Sequence, residues 1–147
     1  MGAQAKIVDT FLNLVKINSL SHNEVAICHY LADYLKKLGL KVRVDKKGNL
    51  HAVLKGVAAN GPVLLFNAHM DTVVPGNNIK PIIKKDRIVS DGTTVLGADD
   101  KAGIAGILEM LKLLKSRKIL FKEIKIIFTV EEEIGLMGAK QLTYADV

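Results

Sequence analysis

The second half of the chain alternates between apolar strands and one helix, and this order restricts the fold more than any other feature. Residues 63–66 form a continuous apolar run, as expected for a strand that is buried on both faces. Residues 102–114 repeat their apolar side chains at helical spacing, and residues 123–130 are again strongly apolar. A strand, a helix and a strand in this order predict an α/β fold with a largely parallel central portion.

The first forty residues predict two helices. Apolar residues recur at helical spacing over residues 7–15 and again over residues 25–38. Gly39 is a natural C-terminal stop for the second helix. Ser21 lies three residues before Glu24, which is the spacing of a capping box at the start of that helix.

Two strands and two short elements complete the prediction. Residues 40–44 alternate between apolar and charged side chains, and residues 50–54 return as a second strand after a turn. We also expect a short hairpin over residues 82–89 and a final helix that begins near Leu136.

Length and composition limit the class of protein. The chain has 147 residues, of which 49% are hydrophobic, and this is enough for one domain with a core. Cys28 is the only cysteine, so no disulfide can form within the chain; its apolar neighbours favour a buried, inert thiol. No apolar run approaches the ~20 residues that a membrane span needs, and no secretory signal is visible. We therefore expect a cytoplasmic protein without a membrane partner.

The charge balance raises the question of nucleic-acid binding. The chain has 21 basic and 15 acidic residues, a net charge of +6. The basic residues are scattered, Trp is absent and aromatic residues make up 5%, so a surface for base stacking is not expected. The sequence therefore predicts no nucleic-acid partner. The acidic residues of the second half are clustered instead: Asp91, Asp99, Asp100, Glu131, Glu132 and Glu133.

One polar cluster follows the strand at residues 63–66, at the edge where ligands bind in open α/β sheets. It contains His69 and Asp71, which face the same way if the strand continues through them. A metal-binding imidazole usually donates its other N–H to a carboxylate or carbonyl, and Asp71 is placed to accept it. The alternative is a hydrogen-bonded histidine at a strand end without a metal.

A second cluster opens the helix at residues 102–114. Asp99 and Asp100 could act as a helix cap and interact favourably with the helix dipole. A cap needs only one carboxylate, and the small residues around the pair also suit a metal bridge.

A third cluster, Glu131, Glu132 and Glu133, follows the strand at residues 123–130. Three successive carboxylates repel one another unless solvent or a cation stabilises them. Together, the three clusters bring one imidazole and several carboxylates to one edge, a set that suits Zn²⁺, Mn²⁺ or Co²⁺. Two metals with a spare glutamate are typical of a hydrolase, in which the glutamate accepts a proton from metal-activated water.

At these residues the chain resembles the M20 family of dinuclear zinc metallopeptidases, and within it the peptidase T-like branch. The matching segments are residues 67–73 (NAHMDTV), 91–103 (DGTTVLGADDKAG) and 132–135 (EEIG). The resemblance covers nearly the whole chain. Together with the predicted elements it implies an α/β three-layer sandwich with a mixed, largely parallel central sheet and flanking helices.

The resemblance also implies a role for each site residue. His69 would bind one metal, Asp99 would bridge both metals, and Glu133 would bind the other. Asp71 would orient His69, and the Asp99–Asp100 peptide would be cis. Glu132 would be the general base; a slip of one residue would make Glu131 the base and Glu132 the ligand.

The function implied is hydrolysis of short peptides by an aminotripeptidase-like enzyme with two zinc ions, or Mn or Co in their place. Carboxypeptidase or N-acyl amino acid amidohydrolase activity of the same family is the alternative. The intact protein would form a homodimer through an inserted lid domain.

The family site also needs a further carboxylate and a further histidine. Asp146 comes too early for the carboxylate, and His22, His29 and His51 lie in the wrong places for the histidine. We therefore expect residues 1–147 to be the N-terminal part of the catalytic domain without its lid, and to be inactive alone. A non-catalytic structural fragment is the remaining alternative.

Overall fold

The computed structural model describes residues 3–58, 60–117 and 119–146. Its elements, in chain order, are α1 (Ala3–Val15), α2 (Val25–Lys37), β1 (Lys41–Val44), β2 (Leu50–Lys55), β3 (Val63–His69), β4 (Pro81–Ile83), β5 (Ile88–Ser90), α3 (Ala98–Arg117), β6 (Glu123–Thr129) and a 3₁₀ turn (Ala139–Gln141). The two N-terminal helices, the strands and the hairpin of β4 and β5 confirm the elements predicted from the sequence. In the described residues, no helix has the length and apolar character needed to cross a membrane.

The main sheet has four strands in the order β1-β2-β6-β3. β3 and β6 are parallel, whereas β2 pairs antiparallel with both β1 and β6. The predicted mixed sheet is confirmed. In the described residues, β3 and β6 are the single parallel pair. The other neighbour of β6 is β2, which is antiparallel to it, whereas a largely parallel sheet would have a parallel strand at that place.

The core lies on one face of this sheet. Alternate residues of the central strands, such as Leu50, Ile126 and Phe128, point into one apolar cluster that also contains the buried faces of all three helices. α2 packs on β1 and β2, while α3 packs on β3 and against α1. On the opposite face, Val63 and Leu65 are 50% and 43% exposed. The described residues therefore form two of the three predicted layers.

Two local predictions fail. Glu24 is the N-cap residue of α2, but its side chain caps no backbone group of the helix, so there is no capping box with Ser21. No α-helix begins near Leu136: the described residues contain a 3₁₀ turn at Ala139–Gln141 instead. Gly135 and Leu136 both have positive φ, at 109° and 60°, and this left-handed backbone interrupts a helix.

Cys28 lies in the core cluster, where it is buried, as its apolar neighbours predicted. Burial raises the pKa of its thiol, which keeps the side chain in the unreactive protonated form.

Candidate metal centre

Three side chains from three elements meet at the carboxyl edge of the parallel pair. His69 ends β3, Asp99 lies at the start of α3, and Glu133 follows β6. One candidate ligand atom from each of them lies within 4.8 Å of the other two. The parallel register, in which His69 is opposite Thr129, brings the ends of both strands to the same edge. These are the three residues predicted as metal ligands.

The imidazole of His69 is buried and held at both nitrogens. Nδ1–H donates to the backbone oxygen of Asp71 at 3.0 Å and lies 3.3 Å from that residue's Oδ1. Nε2 lies 3.0 Å from Oδ1 of Asp99. Burial alone would lower the pKa of His69, but the hydrogen bonds to Asp71 and Asp99 outweigh it and raise the pKa to about 9. In the metal-free protein, His69 therefore carries the positive charge that its carboxylate neighbours require.

Asp71 is completely buried and joins His69 to the segment after β6. Its Oδ1 accepts the backbone N–H of Glu132 at 2.9 Å, and its Oδ2 accepts that of Glu133 at 3.1 Å. Ser21 Oγ also donates to Oδ2, at 2.7 Å. Burial would raise the pKa of Asp71, but the bonds from His69, Ser21 and these N–H groups together lower it to about 2. Its carboxylate is therefore ionised throughout the physiological range.

The three successive glutamates have different surroundings. Glu132 Oε2 lies 3.8 Å from His69 Nε2, and its side chain is partly open to solvent. Burial, together with the negative charges around it, raises the pKa of Glu133. Glu131 instead binds Lys47 Nζ at 2.6 Å and His22 Nδ1 at 3.2 Å. Its carboxylate is thus engaged outside the group formed by His69, Asp99 and Glu133.

The two aspartates at the start of α3 also differ. The side chain of Asp99 is 87% exposed, whereas burial raises the pKa of Asp100. A Cβ on Gly103 would lie 2.2 Å from Asp100 Oδ1, so glycine leaves room for this carboxylate over the first turn of the helix. The two carboxylates of the pair thus have different surroundings: Asp99 reaches His69, whereas Asp100 lies over the first turn of α3. The peptide between them is cis, as the resemblance implied.

The other histidines lie apart from this cluster. His22 precedes α2 in a left-handed backbone conformation, rather than lying within the helix as its sequence position suggested. His51 in β2 contacts Asp45 and Arg43, and Asp146 also binds Arg43. None of these side chains belongs to the metal-binding group found among the described residues.

Residues 49–146 match the sequence profile of Peptidase family M28. The chain belongs to this family, within the clan that also contains the M20 peptidases. It is 33% identical to peptidase T of Halothermothrix orenii over 89% of its own length and 43% of that protein.

Two solved structures extend the likeness. Aminopeptidase PepT from Bacillus cereus superposes with a TM-score of 0.95 at 42% identity, over 99% of this chain and 42% of that one. An M20 family metallo-carboxypeptidase from Sulfolobus solfataricus gives a TM-score of 0.73 at 26% identity, over 92% of this chain and 33% of the other. The resemblance to peptidase T-like enzymes is confirmed. The chain spans less than half the length of these relatives.

The structure also adds two residues that the sequence did not indicate as part of the site. Ser21 binds Asp71, and Glu24 Oε1 accepts the backbone N–H of Glu131 at 3.0 Å. The S-x-x-E spacing of these two residues is visible in the sequence, but it predicts a helix cap. No local pattern reveals that both side chains turn away from the helix toward β6.

Proposed function

We propose that residues 1–147 form the N-terminal part of a cytoplasmic peptidase's catalytic domain, which hydrolyses short peptides as an aminotripeptidase-like enzyme. The observation that carries the proposal is the convergence of His69, Asp99 and Glu133 within 4.8 Å, beside a third carboxylate on Glu132. The relatives named peptidase T and PepT support the choice of substrate.

The donor set fits a transition metal, for which we propose zinc, with manganese or cobalt as alternatives. One imidazole nitrogen and two carboxylates are ligands that Zn²⁺ accepts. His69 offers Nε2, because its Nδ1–H is engaged with Asp71. Asp99 has one oxygen near His69, while the rest of its side chain is exposed, as a carboxylate that bridges two metals would require.

Each residue has a defined task in the proposed hydrolysis. Bound metal would polarise the scissile carbonyl and lower the pKa of a water molecule. Glu132 would accept a proton from the water whose oxygen forms the new bond to the carbonyl carbon, and would pass it to the amine nitrogen as the C–N bond breaks. Asp71 accepts the Nδ1–H of His69 and so turns Nε2 toward Asp99 and the proposed metal, which is the usual task of the partner of a metal-binding histidine.

An apolar cleft next to Glu133 supports a peptide substrate. Its volume is about 330 Å³, and its walls include Leu20, Val73, Val74 and Ile134. Such a cleft can accept an apolar side chain of a peptide whose carbonyl lies at the metals. Carboxypeptidase action remains the second candidate, favoured by the similarity to the Sulfolobus metallo-carboxypeptidase.

We further propose that residues 1–147 alone do not turn over peptides. The metal-binding group found in the described residues contains three side chains, so two metals that share Asp99 would each keep two of these ligands. Each metal would then lack the three protein ligands that are usual in catalytic zinc sites.

The decisive test is Glu132→Gln in the full-length protein. We expect turnover of a tripeptide to fall by about 10²–10⁴, the usual contribution of a general base, with metal content unchanged. Glu123→Gln, the same chemical change at the opposite end of β6, serves as the control and should retain activity. If Glu132→Gln stays active while Glu131→Gln does not, the base is Glu131 and the assignment slips by one residue.

A further inference from the structure

The segment after β6 is held by its backbone. We call residues 131–133 the Glu loop. Its three consecutive N–H groups all donate to carboxylates from other parts of the chain: Glu131 to Glu24 Oε1, Glu132 to Asp71 Oδ1 and Glu133 to Asp71 Oδ2, at 2.9–3.1 Å. A sheet neighbour or solvent would ordinarily take such N–H groups. Here the hydrogen bonds to two carboxylates hold the backbone of all three loop residues in place.

Ser21 and Glu24 supply this support from the turn before α2. Ser21 donates its hydroxyl hydrogen to Asp71 Oδ2, the same oxygen that receives the N–H of Glu133. Glu24 is buried, and its carboxylate contributes no cap to α2. Neither side chain thus caps the helix. Glu24 contacts the Glu loop directly, and Ser21 contacts it through Asp71.

The backbone of the Glu loop needs this support. Glu131 has a φ of 53°, a left-handed conformation that is unusual for a residue with a side chain. Such a conformation persists where surrounding contacts hold it in place. Glu24 fixes the N–H of Glu131, and Lys47 and His22 bind its carboxylate. The turn at Glu131 then leaves Glu132 and Glu133 beside His69.

Keeping Glu24 at this position has an energetic cost. Burial raises the pKa of the Glu24 carboxyl although backbone N–H groups, that of Glu131 among them, act in the opposite direction. An apolar side chain would fill a buried position in this turn without that cost. We therefore attribute the glutamate at position 24 to its carboxylate oxygen, which accepts the N–H of Glu131.

We propose that Ser21 and Glu24 are positioning residues of the catalytic site, which place the base Glu132 and the ligand Glu133 through the backbone of the Glu loop. The inference rests on the proposed function, because it needs the roles given there to these two glutamates. Neither residue belongs to the metal-binding group found in the described residues. Ser21 lies in the wall of the apolar cleft beside Glu133, but its hydroxyl group is engaged with Asp71.

The test compares variants that remove the hydrogen bond with variants that retain it, in the full-length protein. Ser21→Ala and Glu24→Leu remove the donor or the acceptor, whereas Ser21→Thr and Glu24→Gln keep a hydroxyl and a side-chain oxygen. We expect the first pair to lower kcat by about 10–100-fold, the usual loss for residues that support a metal site, and to change KM little. The second pair should stay within about threefold of the parent kcat by the same reasoning.

Zinc titration by calorimetry on the same variants gives a readout that is independent of turnover. Ser21→Ala and Glu24→Leu should weaken binding by about 10-fold or more, because Glu133 is displaced, while Ser21→Thr and Glu24→Gln bind as the parent does. Thermal unfolding identifies any variant that fails to fold. Ser21→Ala removes one partly buried hydroxyl group and carries the test if Glu24→Leu does not fold.

Two results would overturn the inference. One is unchanged kcat and zinc affinity in Ser21→Ala and Glu24→Leu. The other is an equal loss in the retaining variants, which would assign the effect to packing rather than to the hydrogen bonds. Glu132→Gln and Glu131→Gln, assayed in parallel, separate this failure from that of the proposed function. If both remain active, the proposed hydrolysis is wrong. If either is inactive while Ser21→Ala and Glu24→Leu are unaffected, only the positioning role is wrong.

Discussion

The sheet contains two buried histidines with carboxylate neighbours, and the contrast between them distinguishes the candidate metal site. His69 at the end of β3 is 8% exposed, and His51 in β2 is 5% exposed. The charged groups within 4 Å of the His69 ring are the carboxylates of Asp71, Asp99 and Glu132. In the described residues, the ion-pair partner that these three carboxylates share is His69 itself.

His51 has similar carboxylate neighbours but a different charge balance. Its Nε2 lies 3.1 Å from Asp45 Oδ2, and its Nδ1 lies 3.9 Å from Asp146 Oδ1. Arg43 Nη2 lies 3.3 Å from His51 Nδ1 and 2.5 Å from Asp146 Oδ1. The guanidinium pairs with Asp146, and the backbone N–H groups of residues 47–49 donate to Asp45 Oδ1, so each carboxylate has a partner besides the imidazole. The carboxylates around His69, unlike Asp146 beside His51, pair with no arginine in the described residues, and this makes the His69 group the candidate metal site.

Replacing each histidine in turn should give the largest difference in zinc affinity between the two groups. His69→Ala should lower the affinity for Zn²⁺ by more than ~100-fold, because it removes a ligand rather than one of the supporting groups, whose loss costs ~10–100-fold. His51→Ala should leave zinc affinity within about threefold of the parent, because His51 lies outside the candidate metal-binding group, in contact with Asp45 and Arg43. Calorimetric titration near pH 7 measures both. Equal losses in the two variants would remove the distinction between the clusters.

The carboxylate partners give the next smaller effect. Asp71→Asn keeps the shape of the side chain but removes the negative charge that holds His69 and the N–H groups of the Glu loop. We expect zinc affinity to fall by ~10–100-fold. Asp45→Asn is the matched control at His51 and should leave zinc affinity unchanged. A stronger loss in Asp45→Asn than in Asp71→Asn would contradict the assignment.

The smallest effect concerns the stability of the His51 network. Bonds from Thr143 and Arg43 lower the pKa of Asp146 to about 2 from its ordinary value of 3.8. Because the folded value is the lower one, the stabilisation is present above the ordinary pKa and is lost as pH falls through about 2. Asp146→Asn should therefore lower the unfolding temperature at pH 7 by a few degrees at most, as for an exposed ion pair.

Thermal melts of the parent protein and Asp146→Asn, recorded at intervals from pH 7 downward, check this dependence. The difference between the two should stay constant above the ordinary pKa of the carboxyl and shrink below it. A difference that grows as the pH falls would have the wrong sign for a carboxylate held by Arg43 and Thr143.

Much of the site could be predicted because its residues are marked by local order in the chain. His69, Asp99 and Glu133 each lie where an apolar strand has just ended or a helix begins, and parallel strands bring such ends together. The same local reasoning failed for Ser21 and Glu24. Their spacing satisfies the rule for a capping box, and nothing nearby in the sequence reveals a competing partner.

The sequence by itself determined the helices and strands of the α/β fold and the residues that converge at the sheet edge, because periodicity and strand ends are properties of neighbouring positions. Only the tertiary structure decided that β2 lies antiparallel beside β6, that all three helices cover one face, and that Glu24 holds Glu131, 107 positions away. These features depend on which distant groups form hydrogen bonds with each buried polar atom and which apolar faces pack together. They are settled by the whole set of contacts at once, and no short stretch of sequence contains them.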